Sequence, residues 1–188
     1  DRGVVASCSY EARKFGIHSA MPMRMAKQRC PEAIVIKGNS STYSQYSRMV
    51  TEIIKEASPL YEKSSIDEFY IDFTGMDRFH GVLKYSSELR HRILKETGLP
   101  ISFGLSENKT VSKIATGEAK PNNQIQISYG QEKPFLAPLS VRKIPMVGLK
   151  TYQSLCNLGI RKIKPIQDLP IEMMERALGQ NGISIWKK

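Results

Sequence analysis

Apolar residues recur along this chain at two spacings, and the switches between them mark out its elements. Phe69, Ile71 and Phe73 fall on alternate positions, with Tyr70, Asp72 and Thr74 between them, which predicts a strand with one covered face. Ile101, Phe103 and Leu105 repeat that spacing, and Ile125 with Ile127 makes a last small strand. Between Tyr43 and Ala57 the spacing is helical: Tyr46, Val50, Ile53, Ile54 and Ala57 share one face, and Pro59 closes the run. Leu89, Ile93 and Leu94 do the same for a helix from about Gly81 to Thr97, with Gly98 as its stop. Val111, Ile114 and Ala115 give the buried side of a short helix over Lys109 to Lys120, ended by Pro121 and Asn122.

Toward the start, Val4 to Cys8 reads as a short strand opening onto a helical segment, Tyr10 to Ile17, which Gly16 is placed to end. Ser19-Ala20-Met21-Pro22 begins a second helix with Met21, Met25 and Ala26 inward and Arg24, Lys27 and Arg29 outward. Ala33 to Lys37 reads as an apolar strand and Gly38 to Ser41 as a loop. Strand, helix, hairpin, helix, strand is close to the split βαβ arrangement, so an α+β fold is expected up to about residue 130. Beyond Tyr129-Gly130 the strand signals stop. Pro134 to Pro138 reads as a connector, followed by short helices that include Thr151 to Leu158 and Pro170 to Leu178, closed by Gly159 and Gly179.

Composition narrows the function. In 188 residues, 28 Lys and Arg stand against 18 Asp and Glu, a net charge of +10 that favours a polyanionic partner such as nucleic acid. Cys8, Cys30 and Cys156 follow no metal-ligand spacing and suit a reducing compartment. No apolar run of about 18 residues is present, so no membrane span is expected. The sequence opens at Asp1-Arg2-Gly3 without a methionine or a signal peptide and reads as a fragment.

One stretch stands out against this background: Ser64-Ser65-Ile66-Asp67-Glu68, lying between Leu60-Tyr61 and the alternating Phe69 run. On a flat strand Asp67 and Glu68 would point to opposite faces, so joint action requires the backbone to bend there, as at a hairpin tip. Two carboxylates that close repel unless a cation or proton lies between them, and hard oxygen donors without a neighbouring histidine suit Mg²⁺. A solvated acidic turn is the other reading of the pair.

Three motifs in register carry a resemblance. Ala6 through Gly16 (Ala-Ser-Cys-Ser-Tyr-Glu-Ala-Arg-Lys-Phe-Gly), the Ser65-Ile66-Asp67-Glu68 hairpin, and Gly104 through Ala119-Lys120-Pro121-Asn122 together resemble the Y-family (translesion) DNA polymerases, most closely the DNA polymerase IV branch. The resemblance implies a right-hand polymerase core: fingers over residues 1–38, a palm with a ferredoxin-like sheet over 39–128, and a small helical thumb over 129–188. It implies two Mg²⁺ ions at Asp67 and Glu68, aligning a primer hydroxyl with the α-phosphate of a dNTP. It also implies that Tyr10, Arg13 and Lys120 bind the triphosphate, that Ser7 touches it, and that Ala6 lies on the incoming base. Lys14, Lys109 and Lys113 stay open between phosphate contact and solvent, and Asp72, outside the matched motif, reads as structural.

Ile144 to Leu149, followed by Leu155 to Ile160, resembles a helix-hairpin-helix, whose backbone N–H groups meet DNA phosphates around Val147, Gly148 and Lys150. Met146 stands where that hairpin has its first glycine. The family's first-strand Asp ligand, its ribose-rejecting aromatic residue and its last DNA-gripping domain have no match here, so the fragment is expected to be inactive alone. Implied partners are primer-template DNA, dNTP and, through regions outside this sequence, a sliding clamp, in the cytoplasm. Two other readings fit the sequence: a non-catalytic helix-hairpin-helix module, and another palm-fold enzyme such as a nucleotide cyclase.

Overall fold

The computed structural model describes residues 3–76 and 81–188. They form two units, Asp1–Gln45 and Tyr46–Lys188.

The first unit is organised around Val5, Ile17, Met21, Ala26 and Cys30, which bury one another. Helix α1 (Tyr10–Lys14) is capped by Ser9, whose hydroxyl accepts from the Ala12 N–H. The chain turns out of it at Gly16, in the left-handed region at φ 74°. Helix α2 (Met23–Arg29) starts directly after Pro22, and Arg29 donates from Nη1 to the Gly16 carbonyl at 2.6 Å. Three expectations fail here. Val4 to Cys8 makes a single bridge, Val4 to Pro22, instead of a strand. Met25 is exposed, because Met21 and Ala26 fill the inward face. Ala33 to Lys37 is irregular, with Ile34 90% exposed: an apolar run becomes a strand only beside a partner edge, and none pairs with it among the described residues.

Helix α3 (Ser40–Ala57) runs across the boundary, and its second-unit part shares one core with strands β1 (Tyr61–Lys63) and β2 (Phe69–Ile71) and helix α4 (Val82–Thr97). Ile53 and Ile54 from α3 meet Leu89 and Ile93 from α4, with Tyr61, Phe69, Ile71 and Phe73 packed against them. Leu94 is only half-buried. Asn39 caps α3, its side-chain oxygen accepting from the Ser41 and Thr42 N–H groups. The Tyr85 hydroxyl donates to the Ala57 carbonyl at 2.7 Å, tying the start of α4 to the end of α3.

Strand β3 (Phe103–Leu105), helix α5 (Lys109–Ala119) and strand β4 (Gln124–Gln126) follow as a βαβ unit with parallel strands. Asn108 caps α5 by accepting from the Val111 N–H at 2.9 Å. Gly104 lets β3 lie directly on α5: a Cβ there would collide with the Ser112 carbonyl and the Thr116 N–H. The described residues form two two-stranded sheets, β1–β2 antiparallel and β3–β4 parallel, instead of one continuous ferredoxin-like sheet, because β2 and β3 share no ladder.

The C-terminal part is helical. It contains α6 (Glu132–Leu136), a 3₁₀ turn (Val141–Lys143), α7 (Leu149–Asn157), α8 (Ile163–Asp168), α9 (Ile171–Leu178) and α10 (Gln180–Trp186). Val141, Ile144, Leu155, Ile163, Met174 and Ile185 form its core. Helix α6 occupies most of the stretch expected to be a connector. Pro134 falls in its first turn, where a missing N–H costs nothing. Cys8, Cys30 and Cys156 are free thiols, and no described helix is long and apolar enough to cross a membrane.

Candidate active site

The acidic pair sits where the chain reverses between β1 and β2. The ladder runs Tyr61 to Ile71, Glu62 to Tyr70 and Lys63 to Phe69, and the Ser64 N–H extends it to the Glu68 carbonyl at 2.9 Å. Residues 65–67 are bent, which is the break in pleat the pair requires. The Ser65 hydroxyl donates to Asp67 Oδ1 at 2.7 Å and holds that carboxylate at the tip. Both Asp67 and Glu68 are exposed.

Helix α5 brings cations to this hairpin. Lys113 Nζ lies 2.6 Å from Glu68 Oε2. One turn earlier, Lys109 pairs with Glu62 and lies 5.4 Å from the centre of the Tyr70 ring. The hydrogen bond to Glu68 raises the Lys113 amine above its ordinary range, against partial burial, with the charge of Glu68 adding to the rise. Each partner of that pair is more than a third exposed, so its net stabilisation is about 0–1 kcal/mol. Lys120 ends α5 two turns after Lys113, on the same face and about 10 Å further along the axis. It is exposed and makes no hydrogen bond or ion pair among the described residues.

As a cation site the hairpin fits in donor type and is incomplete in number. Its carboxylates are hard oxygen donors suited to Mg²⁺, yet no group of three or more His, Cys, Asp or Glu converges among the described residues. Oxygen donors beyond these two carboxylates must complete any coordination shell. Asp72 stands apart: its Oδ1 accepts from the Thr74 N–H at 2.8 Å, a local turn contact that agrees with a structural role. A cleft of about 640 Å³ runs beside the strands, lined in part by Tyr70, Asp72, Ser106 and Lys109, and reaches neither Asp67 nor Glu68.

In the first unit, Ala6 and Ser7 are exposed just ahead of α1. Tyr10, 48% exposed, and Arg13 project from adjacent turns of that helix, with the guanidinium carbon 5.7 Å from the ring centre. Lys14 is exposed beside them. In the C-terminal helices, Gly148 caps α7 and Lys150 is exposed in its first turn, whereas the Val147 side chain enters the core and its N–H is taken by the Ile144 carbonyl. Met146 keeps the left-handed backbone of the glycine it replaces, at φ 75°.

The family model described as impB/mucB/samB matches residues 1–117. The chain belongs to the impB/mucB/samB family. Its similarity continues beyond the matched segment. A DNA polymerase IV of Dehalococcoides mccartyi is 44% identical over 179 residues, covering 95% of this chain and 46% of the relative. A DNA polymerase IV 2 of Methanosarcina mazei is 36% identical over 185 residues, covering 98% and 50%. The chain thus spans about half the length of the curated relatives it matches. The crystal structure of DinB from Sulfolobus solfataricus superposes with a TM-score of 0.89 at 28% identity, covering 98% of this chain and 55% of that one. The insertion ternary complex of Dbh DNA polymerase gives 0.88, also at 28%, covering 99% and 55%. The α+β architecture is therefore that of the polymerase cores of this family, as the three motifs led us to expect.

Two contacts lay outside the sequence reading. The four-residue spacing of Lys109 and Lys113 marks one face of a helix without saying that Lys113 meets Glu68. The approach of Arg90 to Asn122, across 32 positions, left no local signal.

Proposed function

We infer that the chain carries part of the fingers, part of the palm and the thumb of a template-directed DNA polymerase of the damage-bypass type, which joins a nucleotide from dNTP to a primer 3′-hydroxyl. Residues 1–38 are assigned to the fingers, 39–128 to the palm and 129–188 to the thumb. The hairpin carries the reading: two exposed carboxylates on adjacent residues, faced by Lys113 and followed along α5 by Lys120. The names of the similar proteins support it.

In this reading Asp67 and Glu68 hold Mg²⁺, which when bound supplies positive charge beside the phosphate oxygens and the attacking hydroxyl. The Arg13 guanidinium offers a planar fork to phosphate oxygens, Tyr10 a hydroxyl donor and Lys120 a point charge. Ser7 adds a hydroxyl contact to the same phosphates. Ala6, lacking a longer side chain, leaves room for the incoming base. The turn from Val147 to Lys150 grips DNA phosphates without reading sequence, through the first-turn N–H groups of α7 and the Lys150 charge. Primer-template DNA and dNTP are the proposed partners, with a sliding clamp engaged through other parts of the polypeptide, in the cytoplasm.

The test is single-nucleotide insertion by the complete gene product. Asp67→Asn and Glu68→Gln keep size and lose charge, so kcat should collapse and extra nucleotide should not restore it. Arg13→Ala and Lys120→Ala should raise KM about ten- to a hundredfold, since a charge-assisted phosphate contact is worth roughly 1.5–3 kcal/mol. DNA affinity should fall with salt, log K against log salt having a slope of about −0.9 per phosphate neutralised. Near-normal turnover by both acidic-pair variants would remove the hairpin from the active site. DNA binding without extension favours a non-catalytic module, and template-independent triphosphate turnover favours a cyclase-like enzyme.

A further inference from the structure

The segment that follows α5 is held by a side chain from a distant helix. Arg90, on α4, donates from Nη1 to the Asn122 carbonyl at 3.0 Å and to Asn122 Oδ1 at 2.9 Å. Asn122 sits in the left-handed region at φ 44°, a conformation that asparagine adopts more readily than other residues with a side chain. On the other side, the Asn123 N–H donates to the Ser102 hydroxyl at 3.2 Å, and the Phe103 N–H donates to the Asn123 carbonyl at 3.3 Å. The segment is thus clamped between α4 and the start of β3.

Arg90 is committed to this contact at a cost. Its Nε is buried with no hydrogen-bond partner among the described residues, and an orphaned buried donor costs about 1–3 kcal/mol. Neighbouring Leu89 and Ile93 lie in the core, so the stem of Arg90 is anchored where α4 is least free to move. Lys120 lies two residues before Asn122 and leaves the helix extended, at φ −68° and ψ 141°. Because its side chain makes no hydrogen bond or ion pair among the described residues, its direction is set by the backbone on either side of it, α5 before and the Asn122 segment after.

We propose that Arg90 is a positioning residue for Lys120: through Asn122 it fixes the direction in which the Lys120 ammonium leaves α5 toward the nucleotide phosphates. Arg90 itself touches no substrate. The assignment rests on the reading of Lys120 as a triphosphate contact.

The experiment is steady-state dNTP insertion by the complete polymerase bearing Arg90→Met, Arg90→Lys, Asn122→Gly, Lys120→Ala, or Arg90→Met with Lys120→Ala, each with its melting temperature. Arg90→Met should raise KM for dNTP about fivefold or more with kcat nearly unchanged, the signature of lost binding without lost chemistry. Arg90→Lys should recover part of that loss, because it keeps a cationic donor on α4 on the side facing Asn122. Asn122→Gly, which keeps the left-handed backbone and one acceptor, should give a smaller rise than Arg90→Met and serves if Arg90→Met does not fold. The double variant should be no worse than Lys120→Ala, since a residue acting only through Lys120 has nothing left to position. Multiplying effects in the double variant, or an unchanged KM for Arg90→Met beside a raised one for Lys120→Ala, would overturn the role of Arg90 and leave Lys120 in place. An unchanged KM for Lys120→Ala would instead overturn the triphosphate reading, and the positioning role with it.

Discussion

Glu68 and Lys113 meet across 2.6 Å, one from a hairpin tip and the other from the middle of a helix 45 positions along the chain. The ammonium takes up one oxygen of a carboxylate that is also proposed, with Asp67, to hold a divalent cation. On that proposal the two cations compete for one side chain.

That competition is measurable without turnover. In Lys113→Met the affinity of the hairpin for Tb³⁺, followed by luminescence sensitised through nearby tyrosines, should rise about two- to fivefold, the scale of an exposed ion pair. Lys109→Met removes the same charge one turn away, where it pairs with Glu62, and should give a smaller rise. Equal rises in the two variants would reduce the effect to general electrostatics.

Gly104 is the tightest point between β3 and α5. In Gly104→Ala the new methyl would meet Ser112 and Thr116 backbone atoms, with Thr116 N only 2.8 Å away, and backbone cannot move aside as a flexible side chain does. Urea unfolding should show a loss of about 1–3 kcal/mol, the usual cost of overpacking. An unchanged midpoint would mean that the strand can lift off the helix freely.

Met146 carries backbone strain with little in return. Its φ is 75° and its side chain is 74% exposed. A left-handed conformation costs a non-glycine residue roughly 1–2 kcal/mol, and glycine gives back roughly 0.4–1 kcal/mol through the unfolded chain. Met146→Gly should therefore raise the melting temperature by a net gain of about 1 kcal/mol or less. A lower melting temperature would show that the exposed Met side chain contributes packing after all.

Asp72 contributes to the pH dependence of stability. Its carboxylate is held below its ordinary value of 3.8, first by the Thr74 hydroxyl and then by the Thr74 N–H. A depressed folded-state value stabilises the fold above the unfolded value, and that contribution is lost as pH falls through the lower, folded one. Carboxyl ¹³C shifts followed down a pH titration should show Asp72 titrating late, and Thr74→Val should move it back up. Coincident curves for the two proteins would remove the hydroxyl as the cause.

The sequence by itself determined the elements whose signals are local. Period-two and helical spacings located β2, β3, α3, α4 and α5, and Gly16, Gly98, Gly159 and Gly179 all terminate helices with positive φ. The bend at Asp67–Glu68 was legible because two adjacent polar residues between apolar runs cannot serve one face of a strand. The Ala33–Lys37 run was misread for the converse reason: hydrophobicity states that a segment would gain by burial, but only a partner edge makes it a strand. What the tertiary structure alone decided is which distant cations meet these local features. Lys113 reaches Glu68 and Arg90 reaches Asn122 across 45 and 32 positions, respectively. Nothing in the residues beside each partner encodes such a meeting, because it depends on how two helices, each folded on its own local pattern, are set against the same pair of sheets.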